Sequence, residues 1–113
     1  MTERLRIHAA DGTWVVRAGG AVIGETSNAL ELLEGDYPPV IYFPRADLGM
    51  AFFDASETTS FCPFKGQASY FHIASESGTI RDAGWSYEEP KPEAARIAEH
   101  IAFYGDKVTL EQV

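Results

Sequence analysis

The chain has 113 residues, 45% of them apolar and 23% charged, which is the size and composition of one globular domain built on a single core. Its 9 lysines and arginines against 17 aspartates and glutamates leave a formal charge of −8. The average surface therefore repels a phosphate backbone and anionic lipid headgroups alike, and neither nucleic acid nor membrane is expected as a partner.

The amino end, Met1-Thr2-Glu3-Arg4-Leu5-Arg6, runs into polar residues with no apolar core of a signal peptide, and no stretch approaches the roughly 20 apolar residues that span a bilayer. A cytoplasmic location is the expectation. Thr13–Arg17 and Ala21–Glu25 flank Ala18-Gly19-Gly20 and read as a first hairpin, because β-branched and aromatic residues surround a glycine pair that tolerates positive φ. In Asn28–Glu34 the alternation of apolar and polar residues fits a strand, while Ala, Leu and Glu favour a helical turn; the alternation is taken as the guide. Val40–Phe43 is an apolar strand that stops at Pro44, and Pro44-Arg45-Ala46-Asp47 begins a turn carrying opposite charges. Ala51–Phe53 and Thr58–Phe61 are expected as further short strands and Gln67–Ala74 as a long one. A helix of two to three turns is expected over Glu93–Ile101, where Ala94, Ile97, Ala98 and Ile101 recur at helical spacing after Pro92. Ala102-Phe103-Tyr104, the Gly105-Asp106 turn and Lys107–Leu110 then suggest a closing hairpin. Many strands followed by one short helix near the C-terminus predict a mainly β, antiparallel single domain over residues 1–113.

Five blocks carry a resemblance. Arg17-Ala18-Gly19-Gly20, Tyr42-Phe43-Pro44-Arg45-Ala46-Asp47, Cys62-Pro63-Phe64-Lys65-Gly66 with Ala68 and Tyr70, Trp85-Ser86-Tyr87 with Pro90, and Phe103-Tyr104 occur in this order in a small bacterial family. The chain resembles that family, domain of unknown function 427, sometimes labelled nucleotidyltransferase-like, from about Trp14 to Val108. Phe64 and Phe71 stand where the family commonly has Tyr and Trp. The resemblance implies two antiparallel sheets in the tent-like arrangement of Mss4-like domains and no established activity.

The block Cys62–Gly66 brings the only thiol, an ammonium and turn-forming residues close to Tyr70-Phe71. Many Mss4-like domains hold zinc with Cys-x-x-Cys turns, and by analogy this block looks like such a turn with Lys65 in place of the second thiol. A lysine there repels a divalent cation and favours the thiolate of Cys62, so no metal is expected. The other reading makes Cys62 a small buried apolar residue, Pro63 the turn and Lys65 a solvated head. Arg17, Arg45 and Lys65 would form an anion site if they converged, with Asp47 beside them; alternatively Arg45 and Asp47 brace their own turn as an ion pair. Among the aromatics, Tyr42, Tyr70, Trp85 and Tyr87 are assigned to the wall of a ligand cleft, since rings with polar tips suit such walls. The remaining aromatics are expected in the core.

Phosphate-loop, dinucleotide, hydrolase-elbow and zincin motifs do not occur in the sequence, so no cofactor is expected. Asp47, Asp54 and Glu57 offer no tight Asp-x-Asp pair for Mg²⁺, which argues against nucleotidyl transfer. His72 lies on an expected strand, where a lone histidine is a packed or surface residue before it is a general base. Two functions are compatible with these residues: a binding domain for a small anionic molecule, held by Arg17, Arg45, Lys65 and the aromatics, or a small enzyme using Lys65 or Cys62 as nucleophile or acid/base.

Overall fold

The computed structural model describes residues 4–113. The strands are β1 (Leu5–Ala9), β2 (Trp14–Ala18), β3 (Ala21–Thr26), β4 (Leu30–Glu34), β5 (Val40–Pro44), β6 (Phe53–Cys62), β7 (Gly66–Ser75), β8 (Gly78–Ser86), β9 (His100–Phe103) and β10 (Thr109–Gln112). Among the described residues the strand pairings are antiparallel, in a seven-stranded sheet of order β1-β4-β5-β9-β8-β7-β6 and a three-stranded sheet of order β10-β2-β3. The fold is mainly β, with two antiparallel sheets.

The large sheet separates two apolar clusters, where composition alone suggested one core. On one face Phe43, Phe53, Ile73, Ile101 and Phe103 pack against Val16, Ala18 and Ile23 of the small sheet. On the other face Leu30, Leu32, Tyr42, Ala68, Tyr87 and Ala102 pack beneath Ala94 and Ile97. β5 and β9 are covered on both sides, so their residues are buried in succession and alternation is hidden. Tyr42 points opposite to Ile41 and Phe43, as strand geometry requires.

That double burial explains the largest departure from the expected elements. Pro92–Ile97 is a pair of 3-10 turns kinked at Ala94, Ala98 is extended, Glu99 has φ 63°, and β9 begins at His100. The helix expected to run through Ile101 stops short because Ile101 and Phe103 belong to one face and Ala102 to the other, a two-residue period that a helix cannot supply. No closing hairpin forms either: β9 lies in the middle of the large sheet, while β10 pairs with β2 in the small one. Met50–Phe52 is a 3-10 turn and the strand begins at Phe53, so Ala51-Phe52 is not strand.

Two strands carry weak local signals. In β1, Leu5 and Ile7 face the second cluster while Arg6 and His8 are exposed on an edge strand. In β8, Asp82 takes φ 48° where the register against β7 shifts, and Gly84 replaces any side chain because a Cβ there would lie 3.1 Å from the Ala102 carbonyl oxygen. The first hairpin, β4, β5 and β7 form where expected.

Candidate functional site

A row of residues crosses the large sheet on the face turned away from the small one. Leu30 pairs with Tyr42, Trp85 pairs with Ala102 and with Tyr70, and the Phe43–Ile101 register brings Tyr42 alongside Ala102. Ala102 is fully buried and ends at Cβ, so the rings of Tyr42 and Trp85 stand on either side of a low point in the sheet. Above it the Trp85 indole N–H donates to the Tyr42 hydroxyl over 3.3 Å.

The hollow around this row has a volume of about 210 Å³. Leu32 and Val40 supply aliphatic contacts, Glu34 and Lys65 the charges, and Tyr37 with Pro38 one margin. Tyr42, Tyr70, Trp85, Tyr87 and Tyr104 make up the aromatic remainder. The chain has five tyrosines, and all five line this one hollow. Phenylalanine sorts differently: Phe43, Phe53, Phe71 and Phe103 pack in the opposite core, where no hydroxyl needs a partner.

The rings form a connected wall. Trp85 and Tyr104 have centroids 4.6 Å apart at 45°, and Tyr70 stacks on Tyr104 at 6.5 Å and 11°. The Tyr70 and Ser60 hydroxyls share a hydrogen bond of 2.9 Å. Tyr42 and Tyr87 are buried, whereas Tyr37 is 66% exposed at the mouth. Burial raises the phenols of Tyr42 and Tyr87 well above the ordinary tyrosine range, with the hydrogen bond from Trp85 pulling Tyr42 partly back. Burial first, then the neighbouring Tyr70 hydroxyl, pushes Tyr104 up to about 12.

Lys65 reaches the hollow from the turn that joins β6 to β7. Its backbone N–H donates to the Cys62 carbonyl at 3.2 Å, its carbonyl accepts from Lys91 N–H at 3.0 Å, and Gly66 closes the turn at φ 110°. The ammonium donates to the Glu34 carboxylate and lies 5.8 Å from the centre of the Tyr87 ring. Glu34 terminates β4, which sets its carboxylate beside the hollow.

Of the residues assigned from sequence, the structure gathers Tyr42, Lys65, Tyr70, Trp85 and Tyr87 around one hollow. Four others lie outside that lining. Arg17 is on the small sheet, paired with Glu111 at 2.9 Å. Arg45 donates to Ser86 Oγ at 3.1 Å and to the Glu88 carboxylate, and not to Asp47. Asp47 accepts from the Thr26 hydroxyl at 2.7 Å and so ties the Pro44 turn to β3. Cys62 packs against the second apolar cluster as a half-buried strand end. The three cations thus take three separate carboxylates, Glu111, Glu88 and Glu34, and the expected anion site by convergence is not formed. Which carboxylate each cation meets depends on how the strands and turns are brought together, and sequence order does not show it.

Tyr37 and Tyr104 are the lining rings that the sequence reading did not select. The signal available for them was residue type: tyrosine in place of phenylalanine at five positions of an otherwise Phe-rich chain. His72 sits outside this lining, with Nδ1 accepting the Asp82 backbone N–H at 3.0 Å. Among the described residues no three of His, Cys, Asp and Glu gather as a metal-binding group, and no helix is long and apolar enough to cross a membrane.

A small antiparallel β domain with a tyrosine-walled hollow on one sheet face is the class that fold and site define. Residues 6–113 match the model of a family described as a domain of unknown function, DUF427, with the label NTP_transf_9, and the chain belongs to that family. No curated protein matches it.

Proposed function

We propose that this domain binds a compact organic molecule in the tyrosine-walled hollow and acts as a binding module. The observation that carries this reading is the gathering of all five tyrosines, with Trp85, around one concave surface. Concave, largely apolar sites with a few polar tips are what small-molecule binding requires. At about 210 Å³ the hollow is smaller than the roughly 300–1,000 Å³ of ordinary drug-sized pockets, which favours a ligand well below nucleotide size. That weighs against nucleotidyl transfer, as does the engagement of Asp47 with Thr26.

The idea of an anionic ligand rested on three converging cations, and the separate pairing of Arg17, Arg45 and Lys65 removes its support. Catalysis by Lys65 or Cys62 has less behind it than binding. An ammonium hydrogen-bonded to Glu34 has no lone pair to attack with, and Cys62 lies outside the lining. A lone unpaired cysteine suits a reducing compartment such as the cytoplasm.

The test is a nuclear magnetic resonance titration of the full chain with phenol, glucose and choline as compact probes. At least one is expected to move the Trp85 indole signal and its neighbours Tyr70 and Tyr104, and Tyr104→Ala is expected to weaken that response. Silence at these residues with all three probes overturns the reading.

A further inference from the structure

The structure points to an organic ammonium, a compact cation bearing alkyl groups on nitrogen, as the ligand of this hollow; the inference rests on the reading of the hollow as a ligand site. Two ammonium heads already lie against its rings. Lys107 Nζ is 5.6 Å from the centre of the Tyr104 ring, and Lys65 Nζ is 5.8 Å from that of Tyr87. Both fall within the roughly 6 Å over which a ring face attracts a cation. Trp85, Tyr70 and Tyr104 form a contiguous ring wall lining the same hollow, and such walls recognise alkylated ammonium groups by the same quadrupole attraction.

The charges agree. Lys65 is hydrogen-bonded to Glu34, whose other carboxylate oxygen lies 4.0 Å from the half-exposed Arg4 guanidinium. An adjoining hollow of about 340 Å³ shares Tyr70 and Tyr104 and is lined by Asp82, Asp106 and Lys107, two carboxylates to one ammonium. The chain as a whole carries −8. A small anion would meet ring faces of the wrong sign and a lysine already engaged, whereas a cation meets ring faces and, across Tyr70 and Tyr104, the carboxylates of the adjoining hollow.

The experiment compares three probes at constant ionic strength on the full chain: choline chloride, its uncharged isostere 3,3-dimethylbutan-1-ol, and sodium acetate. The readout is the Trp85 indole N–H signal. Trp14, whose indole N–H donates to the Asp11 carbonyl at 3.0 Å beside the small sheet, is the internal control. Choline is expected to bind at least about fivefold more tightly than the alcohol, and Tyr104→Leu is expected to erase most of that preference while the amide spectrum stays folded. Equal affinity for choline and the alcohol, or tighter binding of acetate, overturns the ammonium inference and leaves the small-ligand reading standing. No response at Trp85 to any probe overturns the ammonium inference, and if phenol and glucose are silent too the small-ligand reading falls with it.

Discussion

Lys65 and Glu34, 31 residues apart in the chain, meet beside the tyrosine hollow with side chains only 11% and 14% exposed. Each charge is tolerated there because the other is present, since an unpaired charge so far from water is strongly disfavoured.

Removing both partners should therefore cost less than the two single removals added together. Lys65→Met and Glu34→Gln are each expected to lose about 2 kcal/mol, below the range for fully buried pairs because both heads keep some exposure. The double variant should lose clearly less than their sum. Urea denaturation of the four proteins checks this, and additive losses would show that the pair is not coupled.

Alkaline pH should destabilise the fold. The folded phenol of Tyr104 is raised to about 12, against about 10 for a free tyrosine, and Tyr42 and Tyr87 are raised in the same direction by burial. Above the free value the unfolded chain has lost protons that the folded chain retains, so stability is intact below about pH 10 and falls as pH rises towards 12. Phenolate absorbance should rise together with loss of near-ultraviolet circular dichroism. Ionisation of all five tyrosines with the fold intact would contradict the burial assigned to these rings.

Gly66 is the glycine on which the Lys65 turn depends. It sits at φ 110°, and an added Cβ would lie 3.4 Å from the Glu89 carbonyl oxygen. Gly66→Ala is expected to cost about 1–3 kcal/mol and to displace Lys65 from Glu34. Gly105→Ala, with nothing within 4 Å of the added carbon, should change stability by less than about 0.5 kcal/mol. Thermal melts of the two variants give the comparison, and equal melting points would reject it.

Arg17→Ala and Cys62→Ser should leave the Trp85 response to bound probes unchanged, since neither residue lines the hollow. Arg17 and Glu111 are 42% and 43% exposed, so their pair contributes at most about 1 kcal/mol. A probe affinity altered by either substitution would mean that the binding surface extends beyond the hollow described.

Turns and alternating strands were legible wherever the determinant is local. Gly19-Gly20 between β-branched runs marks the first hairpin, Pro44 ends β5, and the alternation of Gln67–Ala74 marks β7. β9 was misread because burial on both faces removes alternation, and Ala94, Ile97 and Ala98 mimic a helical repeat just before it. In the site, Tyr42, Tyr70, Trp85 and Tyr87 are legible as amphipathic rings; Tyr37 and Tyr104 share that residue type, but their place in the same hollow follows only from strand pairing.

By itself, the order of residues determined the β class, the turn that carries Lys65 and the supply of rings with polar tips, because each follows from a residue and its near neighbours. Only the tertiary structure decided that Glu34 and not an external anion neutralises Lys65, that Arg17 and Arg45 stay away, and that Ala102 leaves a low point between Tyr42 and Trp85. Those outcomes depend on which distant strands lie side by side, and strand pairing is settled by burial across the whole sheet.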